Sequence, residues 1–461
     1  VALGMLRDGT TNPRRFNKPT LPAYVLTASF WVGGLGEREN RYARVGMVYP
    51  IPAMAAVPKL VYALASVLGL AFAGIAGAAA LGRKHFLWLV PLSSSISATY
   101  LEFSWSYLNV DILGATLALA TVAFLALSRR DALGGMSGSR VAVVAGVLSG
   151  LTVGCKYNLF PIVVPCVLEL WFLDRRAFAK RFVALGVASL AAFLVTTPYA
   201  LFDSRNFLHD ALREARHYAT GHRGATLDPG IPVLAMFGRL LLDDFGTLPL
   251  VVAFVGAALV ARQDLRAFSL LFAFPLVYTF YMSMQRVFFA RNGVSLPLFV
   301  GLALANGLVE TPALVAQKLA RFPRFASMET ALRRATTLVL ALLVVAGLPW
   351  RTVNEAYRAH VESRTDAIRW ISTNVAPGTK VLVDGNLDMD TRRLERAYRV
   401  VVLATKRDLA RALDGRANGG AVLVLRTPDR KAAERRLARH PIVRMGSRES
   451  RFDPRLEIHR L

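Results

Sequence analysis

The chain has 461 residues, of which 54% are apolar, and its 56 Lys and Arg exceed its 31 Asp and Glu by a net charge of +25. This apolar content is too high for an ordinary soluble protein of that length. In a soluble protein such a basic balance would suggest nucleic acid. Here many of the cations lie in short loops between apolar runs, and no stacking motif or zinc knuckle accompanies them. Composition therefore indicates a membrane protein and argues against nucleic acid as a partner.

Apolar runs long enough to cross a bilayer recur from Val57 to Trp350. A transmembrane helix needs about 20 mostly apolar residues, and only helices and closed barrels satisfy their backbone hydrogen bonds in lipid. Because these runs are continuous rather than alternating, they indicate helices. The sequence predicts about ten spans, at 57–81, 86–104, 108–128, 141–155, 159–173, 182–202, 246–260, 267–283, 292–309 and 335–350.

The basic loops predict the orientation of these spans. Basic residues follow the runs that end at residues 81, 128, 173, 260 and 309, and positively charged loops stay on the cytoplasmic side. An even number of spans separates each of these loops from the next. The prediction therefore places 203–231 and everything after Trp350 on the extracytoplasmic face of a multi-pass cell (inner) membrane protein. The apolar stretches 19–35 and 232–245 are expected to lie on the outer surface as helices.

The segment after Trp350 changes character. It alternates predicted helices at 365–374, 406–413 and 429–439 with predicted strands at 380–384, 400–403 and 421–425. Such alternation is typical of an α/β domain. We therefore expect two domains, a transmembrane domain over 1–350 and an extracytoplasmic α/β domain over 351–461.

Ionisable residues collect at the predicted outer ends of the spans, where each is a candidate for function. Asp111 opens the span 108–128, Lys156 interrupts an apolar stretch, and Arg286 and Arg291 flank the span 292–309. Each also has a structural explanation. Asp111 could cap its helix, which is worth roughly 0.3–1 kcal/mol, and the cations could extend to lipid headgroups.

Four further residues are candidates for a substrate-binding loop: Glu102, Tyr157, His217 and His222. The spacing of His217 and His222 is not that of a helical zinc pair, so polar loop contacts are the competing interpretation. Cys155 and Cys166 lie in apolar context and are expected to be buried hydrophobes. No metal site is predicted, and a divalent cation is the one cofactor left open.

Together these residues suggest more than each does alone. Arginine and lysine on one face of a membrane suit a phosphate, and a carboxylate beside them suits deprotonation of a hydroxyl. The combination fits sugar transfer from a lipid-phosphate donor. Asp111 is expected to matter for turnover and little for folding, because Asn caps a helix about as well as Asp.

At these positions the sequence resembles the GT-C glycosyltransferases that use polyprenyl-phosphate sugars, in the branch of the protein O-mannosyltransferases and the lipid A aminoarabinose transferase. The resemblance covers nearly all of 1–350. It rests on the Pro-rich run 12–24, the segment 104–111 that ends in Asp111, the Gly-x-x-x-Gly-x-Lys-Tyr segment 150–157, the loop 197–203 with 217–222, and Ala290-Arg291 before a Pro-containing span. Asn292 stands where the family has Tyr in this last element.

The resemblance implies an inverting hexosyl- or pentosyltransferase of the cell envelope. Its partners would be a polyprenyl-phosphate sugar donor, membrane lipids and an acceptor hydroxyl on a lipid, glycan or protein. Lys156, Arg291 and Arg286 would bind the donor phosphate, and Asp111 would be the catalytic or positioning carboxylate. Family members also carry an acidic residue just after their first span. We expect that span and that residue to lie upstream of Val1.

Two other functions compete with this interpretation. A secondary transporter or flippase of an anionic lipid or sugar would use buried cations equally well. Transporters often have two halves with matching broken helices, and the sequence shows no such symmetry. A non-catalytic member of the same fold is the second alternative, because the front acidic residue is not within the chain.

Overall fold

The computed structural model describes residues 1–35, 56–105, 110–221, 226–322, 327–346, 363–384, 392–403, 421–426, 443–445 and 456–460. These residues form two compact units, one up to residue 346 and the other from residue 363 onward. The domain boundary predicted at residue 350 falls within 347–362, outside the described residues.

The first unit is helical. Its helices are α1 (Ala2–Asp8), α2 (Leu21–Phe30), α3 (Ala56–Leu81), α4 (Phe86–Ser95), α5 (Ala98–Trp105), α6 (Val110–Arg129), α7 (Gly138–Cys155), α8 (Val163–Leu173), α9 (Phe178–Thr196), α10 (Tyr199–Phe202), α11 (Ser204–Thr220), α12 (Ile231–Phe245), α13 (Thr247–Gln263), α14 (Leu265–Ser283), α15 (Leu296–Leu319) and α16 (Glu329–Ala346). A π-helical turn, Trp31–Leu35, follows α2, and the 3₁₀ helices Tyr157–Ile162 and Ala290–Gly293 lead into α8 and α15.

Among the described residues, six helices are long and apolar enough to cross a membrane: α3, α6, α7, α9, α14 and α15. The pair α12 and α13, bent by 110°, makes a seventh if it is one broken span. The protein is therefore a multi-pass helical membrane protein, as predicted. The expected number of ten spans is not confirmed. The segments 86–104 and 159–173 are each divided between two shorter helices, and α16, at the predicted span 335–350, is not among the helices long and apolar enough to cross a membrane.

The prediction was wrong for one segment. The segment 203–231 was expected to be a loop, but most of it forms α11, a helix of 17 residues. Its sequence is polar on average, so it lacks the continuous apolar character that marks a span. The segments 19–35 and 232–245, which were expected to lie on the outer surface as helices, are helical.

Small residues bring α7 and α9 into close contact. A Cβ atom added at Gly146 would lie 2.5 Å from the carbonyl oxygen of Leu185, and one added at Gly150 would lie 2.2 Å from that of Ser189. Glycines spaced one helical turn apart allow membrane helices to approach at backbone distance. This packing fixes the end of α7, where Lys156 follows Cys155.

The second unit contains a five-stranded sheet with α17 (Ser363–Asn374) and α18 (Arg392–Glu395). Its strands are β1 (Lys380–Asp384), β2 (Arg399–Leu403), β3 (Val422–Arg426), β4 (Val443–Met445) and β5 (Leu456–Arg460), in the order β2-β1-β3-β5-β4. β1 pairs in parallel with β2 and β3, whereas β5 runs antiparallel to β3 and β4.

The core of this unit lies between the sheet and α17. Val381 and Val383 lie on the same face of β1 and pack with Ile371 of α17 and Val424 of β3. The predicted small α/β fold is confirmed, and β4 and β5 are additional strands. The helices predicted at 406–413 and 429–439 lie outside the described residues.

Candidate active site

Asp111 lies in the first turn of α6 and is buried. A carboxylate is favourable there because the peptide dipoles leave partial positive charge at a helix N-terminus. Its Oδ1 also contacts the ammonium of Lys156, so Asp111 forms an ion pair in addition to its position at the helix N-terminus. Gly114, one turn later, permits this contact, since a Cβ there would lie 2.4 Å from Leu159 Cδ1. The 3₁₀ segment that follows Lys156 can therefore pack directly on α6.

Lys156 ends α7 with an extended backbone and carries its ammonium between two acceptors. The Nζ atom contacts Asp111 Oδ1 and donates to Asn292 Oδ1 at 2.8 Å. The side chain is almost fully buried. A buried ammonium needs a charge partner and hydrogen bonds, and Asp111 and Asn292 supply both.

Asn292 comes from the short 3₁₀ helix before α15 and is held from two sides. Tyr278 donates its hydroxyl to the Asn292 carbonyl at 2.7 Å, and Gly293 fits closely against Leu240, where a Cβ would meet Cδ2 at 2.4 Å. Among the described residues, the Asn292 Nδ2 atom has no acceptor. Asn292, where the sequence departs from the family pattern, is therefore one of the two residues that contact the Lys156 ammonium, together with Asp111.

A cavity of about 280 Å³ opens beside Lys156. Its walls come from the segment after α1, the start of the 3₁₀ segment, α11 and the end of α14. The lining residues are Asn17, Lys18, Lys156, Tyr157, Asn158, Ala211, Glu214, Ala215, Tyr218, Tyr281 and Gln285. The cavity thus combines two ammonium groups and one carboxylate with amides and tyrosine rings.

Lys18 is the second cation of this cavity. Its Nζ donates to Glu214 Oε1 at 2.6 Å and lies 5.9 Å from the centre of the Tyr218 ring. The residues before it are held in place by α11 and by the 3₁₀ segment, since Phe16 donates its N–H to Asp210 Oδ2 at 2.9 Å and accepts from the Tyr157 hydroxyl at 2.9 Å. Lys18 is therefore positioned by a defined backbone.

Two groups of α11 have shifted pKa values. Burial raises the pKa of Tyr218 above its usual value, and the nearby carboxylates of Asp111 and Glu214 raise it further, so its hydroxyl remains a donor. Burial alone would raise the pKa of Asp210. The hydrogen bond from Phe16 N–H and the charge of Arg213 outweigh burial and hold that pKa below its ordinary value.

The structure brings only some of the predicted site residues into this cavity. Lys156 and Tyr157 line it, and Asp111 lies directly behind Lys156. Arg291 is next to Asn292, with its guanidinium 4.6 Å from the centre of the Phe289 ring, and Arg286 is exposed. Neither arginine is among the lining residues that the structure describes.

The remaining candidates lie around this centre. Glu102 is buried on α5, and His217 is half-buried on α11 beside Tyr218, with ring centres 5.9 Å apart. His222 lies outside the described residues. Within the described ranges, no group of three or more His, Cys, Asp or Glu side chains is arranged to hold a metal ion. Cys155 and Cys166 are buried free thiols, as expected.

Sequence reasoning missed Lys18 and Glu214. Lys18 stands in the Pro-rich run 12–24, which carried the family resemblance only as a pattern. Glu214 stands in the segment predicted to be a loop. A helical projection of 204–220 would have placed Asp210, Glu214 and Tyr218 on one face, because residues three and four apart are neighbours on a helix.

The chain matches no family model and no curated protein by sequence. Its fold is similar to that of ArnT from Cupriavidus metallidurans, crystallised bound to undecaprenyl phosphate, with a TM-score of 0.53 at 14% identity over 99% of this chain and 92% of that one. An oligosaccharyltransferase from Archaeoglobus fulgidus, tethered with an acceptor peptide, gives a TM-score of 0.53 at 10% identity over 94% of this chain and 65% of that chain. AglB from Archaeoglobus fulgidus, in complex with an inhibitory peptide and a dolichol-phosphate, gives 0.51 at 11% identity over 82% and 57% of the two chains.

All of these proteins are members of the GT-C superfamily. This chain has the GT-C fold. The resemblance inferred from the motifs is therefore confirmed at the level of the fold, across most of the chain rather than at isolated segments.

Proposed function

We propose that this protein is a membrane glycosyltransferase that transfers a sugar from a polyprenyl-phosphate donor to an acceptor hydroxyl on the extracytoplasmic face. The observation that supports it best is the cavity that both Lys18 and Lys156 line, with Asp111 in contact with the Lys156 ammonium. GT-C proteins with this fold bind undecaprenyl phosphate and dolichol-phosphate. Ammonium groups that line a cavity suit a lipid phosphate.

In the proposed reaction, the acceptor oxygen attacks the anomeric carbon, and the bond from that carbon to the phosphate oxygen breaks. The electron pair leaves with the polyprenyl phosphate, whose charge Lys18 and Lys156 stabilise. Such stabilisation is stronger in a water-poor cavity than in water. The configuration at the anomeric carbon inverts because there is a single displacement.

We assign Asp111 to positioning. It holds the ammonium of Lys156 at the edge of the cavity, and Asn292 fixes the same group from the other side. Arg291 and Arg286 remain candidates for the donor phosphate outside the cavity lining. The proton of the acceptor hydroxyl needs an acceptor within hydrogen-bond reach, and Glu214 is the carboxylate that lines the cavity.

The test is release of polyprenyl phosphate by the full-length protein in lipid nanodiscs. A panel of polyprenyl-phosphate sugars is incubated with membrane extract as the source of acceptor. Lys18→Met removes one cavity cation, and Lys180→Met removes an exposed one as a control. A hydrogen bond to a charged group contributes about 1.5–3 kcal/mol, so we expect Lys18→Met to lower kcat/KM by roughly 10- to 100-fold and Lys180→Met to leave it unchanged.

Two results would overturn the proposal. One is the absence of polyprenyl phosphate release with every donor in the panel. The other is movement of intact donor across the bilayer without cleavage, which would identify a flippase. Equal effects of the two lysine substitutions would contradict the cavity assignment while leaving the transferase activity in place.

A further inference from the structure

Helix α11 has three distinct faces along its length. The first face is directed into the protein. Asp210 accepts a hydrogen bond from Phe16, Glu214 pairs with Lys18, and Tyr218 is buried beside Asn292. This face, at helical spacing, forms one wall of the cavity. Most of the remaining helix surface is exposed.

The second face is exposed and apolar. Its residues recur at the helical spacing typical of one stripe: Leu208, Leu212 and Ala219. Ala215 stands at the edge of this stripe and also lines the cavity. Leu208 is 57% exposed and Leu212 is 49% exposed. An amphipathic helix in water would bury such leucines, so the stripe requires an apolar environment of its own.

The third face is basic and runs beside the apolar stripe. It carries Arg205, His209, Arg213 and Arg216. Arg213 pairs with Asp210 at 3.1 Å, whereas Arg205 and Arg216 pair with no carboxylate within the described part of the chain. Exposed guanidinium groups next to an apolar stripe match the boundary between acyl chains and anionic headgroups.

Exposed apolar side chains also lie on the two helices that precede α11 in the chain. Helix α9 ends at Thr196 and exposes apolar side chains along its length: Phe182, Val183, Val187, Leu190 and Val195. Leu201 and Phe202 of α10 follow, and Phe202 is 81% exposed. Because α9 is one of the helices able to cross the membrane, α11 follows in the chain within a few residues of a span.

We propose that α11 is an interfacial helix that lies in the surface of the bilayer and binds anionic lipid headgroups. Its apolar stripe enters the acyl boundary, and Arg205 and Arg216 contact lipid phosphates. A neighbouring face of the same helix, with Glu214 and Tyr218, walls the cavity, and Ala215 lies at the boundary between the two faces. This inference does not depend on glycosyl transfer.

The depth of α11 can be measured by fluorescence. A single cysteine at Leu212 or at Ala219 is labelled with a fluorophore, in the full-length protein in phosphatidylcholine–phosphatidylglycerol nanodiscs that contain lipids with quenchers on their acyl chains. Asn206→Cys, on the exposed side away from the stripe, is the matched control. The native Cys155 and Cys166 are fully buried and should not react.

We expect acyl-chain quenchers to quench the labels at Leu212 and Ala219 strongly and the label at Asn206 weakly. A water-soluble quencher should give the reverse order. Ala219→Cys is a small change on an exposed surface, so it keeps the test valid if Leu212→Cys folds poorly. If water-soluble quencher reaches all three labels equally, α11 stands away from the bilayer and the proposal is wrong.

The charge contribution is measured separately with headgroup quenchers attached to phosphatidylglycerol or to phosphatidylcholine. A basic residue near an anionic surface is worth about 1 kcal/mol, which corresponds to roughly a fivefold local enrichment for each arginine. Quenching at Ala219 should therefore favour phosphatidylglycerol, and the paired changes Arg205→Gln and Arg216→Gln should abolish that preference. Arg176→Gln, exposed at the other end of α9, is the control. Equal quenching by the two lipids in the unmodified helix would contradict anionic lipid binding.

Discussion

Asp111→Asn tests the buried contact at the centre of the site. Asp111 and Lys156 have side chains that are only 5% and 4% exposed, so solvent screens their interaction little. Removing one partner of a buried ion pair typically costs about 3–5 kcal/mol, because the other charge is left uncompensated. Asn292 still accepts from Lys156 at 2.8 Å, so we expect the lower end of that range.

The assay is reversible unfolding of the purified protein in mixed detergent micelles, with three variants compared. Asp111→Asn and Lys156→Met should each destabilise the protein, and the double variant should lose less than the sum of the two. For residues in contact the difference is on the order of 0.5–3 kcal/mol. Asp228→Asn, an exposed carboxylate, is the control and should be silent.

Two outcomes would contradict this expectation: an Asp111→Asn variant that is as stable as Asp228→Asn, or single-variant destabilisations that sum to that of the double variant. Either result would mean that the contact with Lys156 contributes nothing to the folded state. The sequence alone predicts that Asp111→Asn is nearly silent for folding, since Asn is as good a cap as Asp. The burial of both side chains changes that expectation, because the exchange removes a charge partner as well as a cap.

Two further perturbations test the scaffold around the site. Gly150→Ala should sharply reduce the yield of monodisperse protein in size-exclusion chromatography, because its Cβ would lie 2.2 Å from the Ser189 carbonyl oxygen. Gly186→Ala on the partner helix has nothing within 4 Å of its added Cβ and should not change the yield. Equal yields would refute the close approach of α7 and α9. The pKa of Asp210 is held below its ordinary value of 3.8, so its contribution to stability is complete above that pH and is lost as the pH falls through the lowered value. Amide exchange of residues 10–20 should therefore accelerate only below pH 3.8. In Asp210→Asn the same exchange should already be fast at neutral pH. Exchange that accelerates equally in both proteins would contradict the role of Asp210 in holding the segment around Phe16.

The membrane-spanning part of the fold was largely predictable from continuous apolar runs. The prediction of 57–81 agrees with α3, and that of 108–128 with α6, to within two residues at each end. Such runs carry their own signal, because each residue must be apolar wherever the helix faces lipid. Helix α11 has no such run. Its residues are polar on average, and only the helical spacing of its few apolar residues indicates a helix.

The candidate site was predictable as separate residues and not as an arrangement. Asp111 and Lys156 stand out because charge is costly at a membrane boundary. Their contact depends on Gly114 admitting Leu159, which no property of Asp111 or Lys156 reveals. In the sequence, Asn292 is notable only as a mismatch to a family pattern. Its role as an acceptor for Lys156 depends on the position of the 3₁₀ helix before α15. The roles of Arg286 and Arg291 stay predictions.

A structure of the full-length protein in nanodiscs with undecaprenyl phosphate would show where the lipid phosphate binds. We expect density for the phosphate in the cavity, within hydrogen-bonding distance of Lys18 or Lys156, and a polyprenyl chain that leaves toward the lipid. Binding should weaken in Lys18→Met and persist in Lys180→Met. A phosphate bound elsewhere, with the cavity between Lys18 and Lys156 unchanged, would contradict it.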